Sequence, residues 1–236
     1  RTRSLEGVDQ EGAPYIKTLV SDGSTLFGVD LEGQTLYTLT LEGEKLVYTE
    51  PVAIDLSSVT EGEGPHMYVR NPQWALITGG RLYMRFVNYE ENPSDLMSFD
   101  LKTGEKKEHQ IAHLQAASPY KEGKLIGLQY NINDAWDDST GEMKKPAIVA
   151  FNPADDSLET LGSFAENTQD SDELMSVYYD PQEDSLYTYT DTDVYRYDAP
   201  FNKSRLIGYL PMYTMFTAST PGGITPLPDG RLAIAF

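Results

Sequence analysis

An all-β chain built from repeated four-stranded sheets is predicted by this sequence, and three observations predict it. Short runs of alternating apolar and polar residues recur along the whole chain, the period-2 signature of strands with one buried face. Gly/Asp turn marks fall at positions 23, 80, 123, 184 and 230, at intervals of 57, 43, 61 and 46 residues. No apolar stripe at helical spacing runs longer than a turn or two. The 16 Tyr, 19 Gly and 14 Pro among 236 residues agree with strands joined by tight turns.

The elements follow in order. Asp22-Gly23 opens a first unit with runs at 25–30, 35–39 and 45–48. Gly79-Gly80 opens a second, with runs at 81–86 and 95–100 and a turn at 102–105. Glu122-Gly123 opens a third, with runs at 124–128, 147–151 and 157–161, and Glu183-Asp184 a fourth, with runs at 185–189, 194–197 and 205–208. A shorter fifth holds 224–230 and 231–236. Segments 88–94 and 131–146 read as insertions between the second and third strands of their units. The fourth strand is the charged one, as Glu105 to His109 shows, which suits an edge facing water.

A meander of this kind cannot bury both faces alone, so the units must stack radially into a β-propeller of four-stranded antiparallel blades. At roughly 40 to 50 residues per blade, the length gives about five. The blades are expected at about 13–50, 73–110, 116–162, 174–210, and 224–236 together with 1–8, in a single domain spanning 1–236. If 1–8 pairs with the last unit, the ring closes by mixing both termini; otherwise the chain is an arc of a larger ring. The start at Arg1 and the apolar end at Leu232 to Phe236 read as cuts in a longer chain.

The rhythm Asp-Gly-x-Leu-Tyr, Leu-Tyr-x-Leu/Phe-Asp, Thr-Gly-Glu over Tyr15 to Phe236 resembles bacterial β-propellers of the TolB-like and quinoprotein-like type. The stretch Leu227 to Ile234 is similar to propellers joined to extracellular solute-binding lipoproteins of Gram-positive bacteria. The resemblance implies architecture and an exported or cell-envelope setting, and it is silent on ligand. The Gly-His and Trp-Asp pairs of WD40 repeats are absent.

Composition narrows the function classes. With 18 Lys+Arg against 37 Asp+Glu, the net charge is −19, which argues against nucleic-acid phosphate as a partner. The absence of cysteine excludes disulfides, thiolate metal sites and Cys nucleophiles. No apolar run is long enough to span a membrane as a helix.

Three histidines are present, His66, His109 and His113. The pair at 109 and 113 has the spacing of a metal site but lacks a zincin glutamate, and surface or inter-blade histidines are the simpler reading. No nucleophile-elbow motif surrounds any serine. No cofactor is expected, with calcium as the one candidate metal: Asp134, Asp137 and Asp138 supply oxygen ligands without EF-hand spacing, and solvated acidic loops are the plainer reading.

The loops between second and third strands share a propeller face with the blade-to-blade crossovers, expected here at 65–72, 109–120, 167–175 and 211–216. Tyr68, Arg70, Trp136, Tyr213 and Phe216 gather on that face, the residue types that interface cores use. For each ring taken singly, packing between blades is the competing reading. The surrounding Glu61, Glu63, Glu90, Glu91 and Asp95 form part of an acidic rim that favours neutral or cationic ligands. The expectation is therefore a non-catalytic, extracellular or envelope-associated domain that binds a protein, peptide or glycan. The alternative is a calcium-dependent or carboxylate-based propeller hydrolase or lyase.

Overall fold

Turns set the repeat. In the computed structural model, residues 14–42, 45–62, 68–86, 96–111, 113–130, 136–137, 139, 142–143, 146–164, 176–189, 193–209, 223–226 and 232–235 are described. The chain divides into two units, 1–110 and 111–236.

In the first unit, β1 (Ile16–Ser21), β2 (Leu26–Asp30), β3 (Thr35–Glu42) and β4 (Lys45–Ala53) form one antiparallel sheet in that order. A crossover follows, with a 3-10 turn at Ser57–Val59 and a short hairpin of β5 (Thr60–Glu61) and β6 (Tyr68–Val69). A second sheet, β7 (Pro72–Thr78), β8 (Arg81–Phe86), β9 (Leu96–Asp100) and β10 (Lys106–His109), repeats the meander.

In the second unit, β11 (Leu114–Pro119) and β12 (Leu125–Gln129) lead into an insertion carrying the hairpin β13 (Trp136–Asp137) and β14 (Glu142–Met143). The sheet resumes with β15 (Ala147–Asn152) and β16 (Ser157–Ser163). A further meander holds β17 (Ser176–Asp180), β18 (Ser185–Tyr189), β19 (Asp193–Asp198) and β20 (Ser204–Tyr209). β21 (Gly223–Pro226) pairs with β22 (Leu232–Ala235), aligning Ile224 with Ile234. Each four-stranded meander is a propeller blade, as the alternation predicts, and both insertions sit between second and third strands. Residues 1–8, expected in the last blade, lie outside the described residues.

The turn marks have a backbone cause. Among the described residues, the first-to-second-strand turns of the four four-stranded blades each carry a left-handed residue: Gly23 at φ 93°, Gly80 at 74°, Gly123 at 74° and Asp184 at 49°. Side-chain carboxylates close several hairpins from within. Asp22 Oδ1 accepts from the N–H groups of Ser24 and Thr25 at 2.8 and 2.7 Å, and Asp100 Oδ1 from those of Lys102 and Thr103 at 2.9 and 2.8 Å. This is the Asx-turn chemistry that makes Asp a turn residue. The pair Asp155-Asp156 likewise lies in a hairpin turn, with Asp156 at φ 60°.

Packing between blades makes the core. In the first unit Phe27, Val29 and Leu36 meet Leu82, Met84, Phe86, Met97 and Phe99. In the second, Ile126, Leu128, Ile148 and Phe164 meet Val177, Tyr179, Leu186, Tyr195 and Tyr197. Phe164 lies 5.8 Å from the Tyr195 ring and 5.7 Å from that of Tyr197. Each such buried side chain contributes about 1.5–3 kcal/mol. The innermost strands lie side by side, β1 with β7, β11 with β17, and β17 with β21. β1, β7 and β11 each carry an extra residue near the start (Lys17, Gln73 and Gln115), a bulge that sharpens twist where the chain enters a blade.

The outer rims meet by one repeated contact. The end of a fourth strand touches the third-to-fourth-strand turn of the next blade, Ala53 against Gly104 in the first unit and Gly162 against Phe201 in the second. Glycine stands on the turn in one case and on the strand in the other. At Gly104, φ is 72° and an added Cβ would run into the Ala53 carbonyl. Gly104→Ala is therefore expected to cost about 2–4 kcal/mol. Gly79→Ala, at φ 58° but with nothing within 4 Å of the new Cβ, should cost only about 1–2 kcal/mol. Urea unfolding of the two variants beside the parent checks the difference.

Candidate functional site

The chain end of the first blade where crossovers leave is held by two side chains. Asp30, closing β2, accepts from the Gly33 N–H through Oδ1 at 2.8 Å and from the Tyr15 N–H through Oδ2 at 3.3 Å. Gln34 accepts the Ile54 N–H on its backbone carbonyl at 2.9 Å and the Leu56 N–H on its side-chain Oε1 at 2.8 Å. The entry to β1, the β2–β3 turn and the exit from β4 are thus fixed together.

Tyr15 stands at this end, 62% exposed. Lys17 Nζ lies 5.2 Å from its ring centroid and 3.1 Å from Glu32 Oε1. The crossover then turns through Ser57–Val59, and the Val59 carbonyl accepts from the Arg70 N–H at 3.1 Å. Buried Val59 and Val69 anchor the β5–β6 hairpin in the inter-blade core. Tyr68, 53% exposed, donates its hydroxyl proton to Glu61 Oε2 at 2.9 Å. Arg70 Nε lies 3.1 Å from the other oxygen, Glu61 Oε1. The bond to Glu61 and its negative charge push the Tyr68 phenol above its ordinary range.

The structure thus brings two of the predicted residues, Tyr68 and Arg70, together through Glu61 of the predicted acidic rim. Trp136 lies in β13 opposite Met143, and Asp137 opposite Glu142, on a hairpin within the insertion. Tyr213, Phe216, Asp134 and Asp138 lie outside the described residues, as does His66. Tyr15 was not legible as a site residue. Its signal was positional, since it stands just before the first strand of a blade, where crossovers deliver the chain.

Two expectations need correction. The crossover predicted over 109–120 ends at His113, because Leu114–Pro119 is the strand β11 itself. Tyr120 and Lys121 therefore belong to the β11–β12 turn, at the other end of the blade. There Lys121 Nζ reaches Asp184 at 2.7 Å, Tyr179 donates to Asp184 at 2.7 Å, and the Tyr120 and Tyr179 rings meet edge to face at 4.7 Å. Burial, with the bond to Asp184, pushes the Tyr179 phenol up to about 12. This cluster clasps the third and fourth blades.

His109, expected on a water-facing edge, is fully buried at the end of β10, while His113 follows with φ 61° and partial exposure. The two are not side by side on one strand face. His109 Nε2 lies 2.9 Å from Ser98 Oγ and its ring stacks on Tyr83 at 5.8 Å. Ser98 Oγ also accepts from Arg81 Nε at 3.0 Å. Ser98 is fully buried too, so this Ser–His contact is closed to any substrate. Among the described residues, no three His, Cys, Asp or Glu side chains group as a metal site.

Asp55 ties the crossover to the second blade. Its Oδ1 accepts from the Ser57 hydroxyl at 2.6 Å and N–H at 3.0 Å, and Oδ2 lies 3.2 Å from Lys106 Nζ of β10. The Ser57 bonds first, then Lys106, hold the Asp55 carboxyl down to about 2.

No family model matches this chain, and no curated protein matches it. Solved structures do. A chain of a nidogen/laminin complex is similar at 10% identity over 92% of this chain and 70% of its own length, with a TM-score of 0.55. The extracellular domain of a one-component system from B. thetaiotaomicron aligns at 12% identity over 96% of this chain and 27% of its own, at 0.51. Streptogramin B lyase aligns at 13% identity over 92% of this chain and 60% of its own, at 0.50. The chain spans less than two thirds of the last two. All are β-propellers, and the class of this protein is a β-propeller.

Asp55 gives a pH test. Its folded carboxyl is depressed from 3.8 to about 2, so the stability it supplies is complete above 3.8 and is lost as pH falls toward 2. The group is mostly exposed, so screening limits the effect to about 1 kcal/mol or less. Asp55→Asn should flatten the acid limb of stability by that amount, read by urea unfolding at steps from about pH 5 downward.

Proposed function

We propose that this propeller is a non-catalytic binding domain that takes a protein, peptide or glycan on its crossover face. The observation that carries the reading is the pair of exposed tyrosines at one crossover end, Tyr68 bonded to Glu61 and Tyr15 lying against the Lys17 ammonium that pairs with Glu32. A tyrosine offers a flat apolar face and a polar tip, so it binds at low entropic cost and is enriched at interfaces. Rings needed only for packing are buried here, as Tyr197 and Tyr83 are.

Arg70 orients the site by fixing Glu61 beneath the Tyr68 hydroxyl. Trp136 and Tyr213, candidates read from the sequence of the second unit together with Phe216, are tested as a separate contribution. An exported setting, as part of an envelope-associated or solute-binding protein, is supported by the cysteine-free acidic sequence and by its likeness to extracellular bacterial propellers.

Two double variants test the reading on arrays of immobilised glycans and peptides. Tyr15→Ala/Tyr68→Ala should weaken array binding about 10-fold or more. Thermal unfolding should change little, because exposed side chains away from the core seldom move stability by more than about 0.5 kcal/mol. Trp136→Ala/Tyr213→Ala should act in the same direction. Undiminished binding in both double variants, or an array with no hits for the parent, sinks the reading.

A further inference from the structure

We infer that the Tyr15/Tyr68 end docks a basic peptide segment of a partner protein, its lysine or arginine side chains lying on the two rings and pairing with Glu32 and Glu61. The inference rests on the binding reading above and gives it a ligand class.

The ion pairs at this end are layered. Lys17 is 29% exposed against 59% for Glu32, and Arg70 19% against 48% for Glu61. Each carboxylate is the more exposed member of its pair, so an arriving partner meets negative charge first. A carboxylate has room for about four hydrogen bonds. Among the described residues, Glu61 accepts one from the Tyr68 hydroxyl and is ion-paired with Arg70 Nε, and Glu32 accepts one from Lys17. Both retain acceptor capacity toward solvent.

The rings add what a carboxylate cluster lacks. Lys17 Nζ already lies over the Tyr15 ring while bonded to Glu32. An ammonium held between an aromatic face and a carboxylate is therefore an arrangement this surface forms with its own chain. Tyr68 with Glu61 offers the same two partners one blade further on. A cation over an aromatic face gains attraction from the ring quadrupole, and more once the pair is shielded from water. A neutral sugar would gain the ring contact alone. An acidic segment would be repelled both by Glu32 and Glu61 and by a chain of net charge −19.

Basic ligands also collect on any strongly acidic protein, so the test separates the site from the field. The probe is a fluorescein-labelled octapeptide of alternating lysine and glycine, followed by anisotropy at about 50 and about 200 mM salt. A glutamate–glycine octapeptide and a neutral cello-oligosaccharide are the comparison ligands. Glu32→Gln/Glu61→Gln and Tyr15→Ala/Tyr68→Ala should each weaken the lysine peptide about 10-fold or more. Glu122→Gln/Glu159→Gln, which removes two exposed carboxylates from the second unit, should change it by less than about twofold. Matched melting curves confirm that all three variants are folded.

Equal weakening by the two glutamate pairs, or no effect of the tyrosine pair, overturns the inference in favour of the general field. Tyrosine-dependent capture of the oligosaccharide without the lysine peptide also overturns it, while leaving the binding reading intact. Failure of every probe overturns the inference, and joined to an empty array it removes the binding reading as well.

Discussion

A single four-stranded meander cannot bury both of its faces, and everything else in this protein follows from that constraint. The blades share cores, so the residues that matter most sit where one sheet meets the next. Phe27 and Val29 of the first blade are buried in one cluster with Met84, Phe86 and Phe99 of the second. The outer rims come close enough that a Cβ is excluded, with Gly104 meeting Ala53 and Gly162 meeting Phe201. Side-chain interdigitation inside and backbone contact at the rim are two parts of one solution. Blades then behave as a chain of neighbours in which each interface contributes its own share of stability.

That solution leaves the polar groups to the two ends of the blades. At one end, turns are closed by their own aspartates, and Lys121, Asp184 and Tyr179 clasp two of them. At the other, Asp30 and Gln34 gather the chain entering and leaving the first blade. The tyrosines of the proposed site are therefore presented by backbone that is tied at several points. A surface fixed in this way meets a partner with little ordering left to do.

The fold was legible in the sequence because its determinants are local. Gly23, Gly80, Gly123 and Asp184 announce turns by residue type, and alternation announces the strands between them. Even the insertions were placed, because Arg81 to Phe86 and Leu96 to Asp100 remain recognisable on either side of one. The site was legible only in part. Tyr68 and Arg70 stand near each other in sequence, but the partner that joins them, Glu61, comes from the facing strand of a hairpin whose strands are two residues long, in a stretch without periodicity. His109 reads as an edge residue because Lys106 to Glu108 are charged, yet Ser98 and Tyr83 receive it. Burial at the last residue of a strand is decided by neighbours distant in sequence. Nor does alternation reveal a bulge such as that at Lys17, which costs one residue of register and depends on the partner strand.

The two inter-blade cores differ in their chemistry, and that gives each unit its own reporter. The first sets Met84 and Met97 among the phenylalanines Phe27, Phe86 and Phe99, whereas the second holds the phenol rings of Tyr179, Tyr195 and Tyr197 and, among the described residues, no methionine. Of the two core clusters, only the second contributes tyrosine bands to the near-ultraviolet circular dichroism. Peroxide oxidation of Met84 and Met97 instead follows the opening of the first, since buried thioethers react only when exposed. Opening of each core thus has a reporter of its own chemistry, thioether oxidation for the first and tyrosine bands for the second, without adding a label.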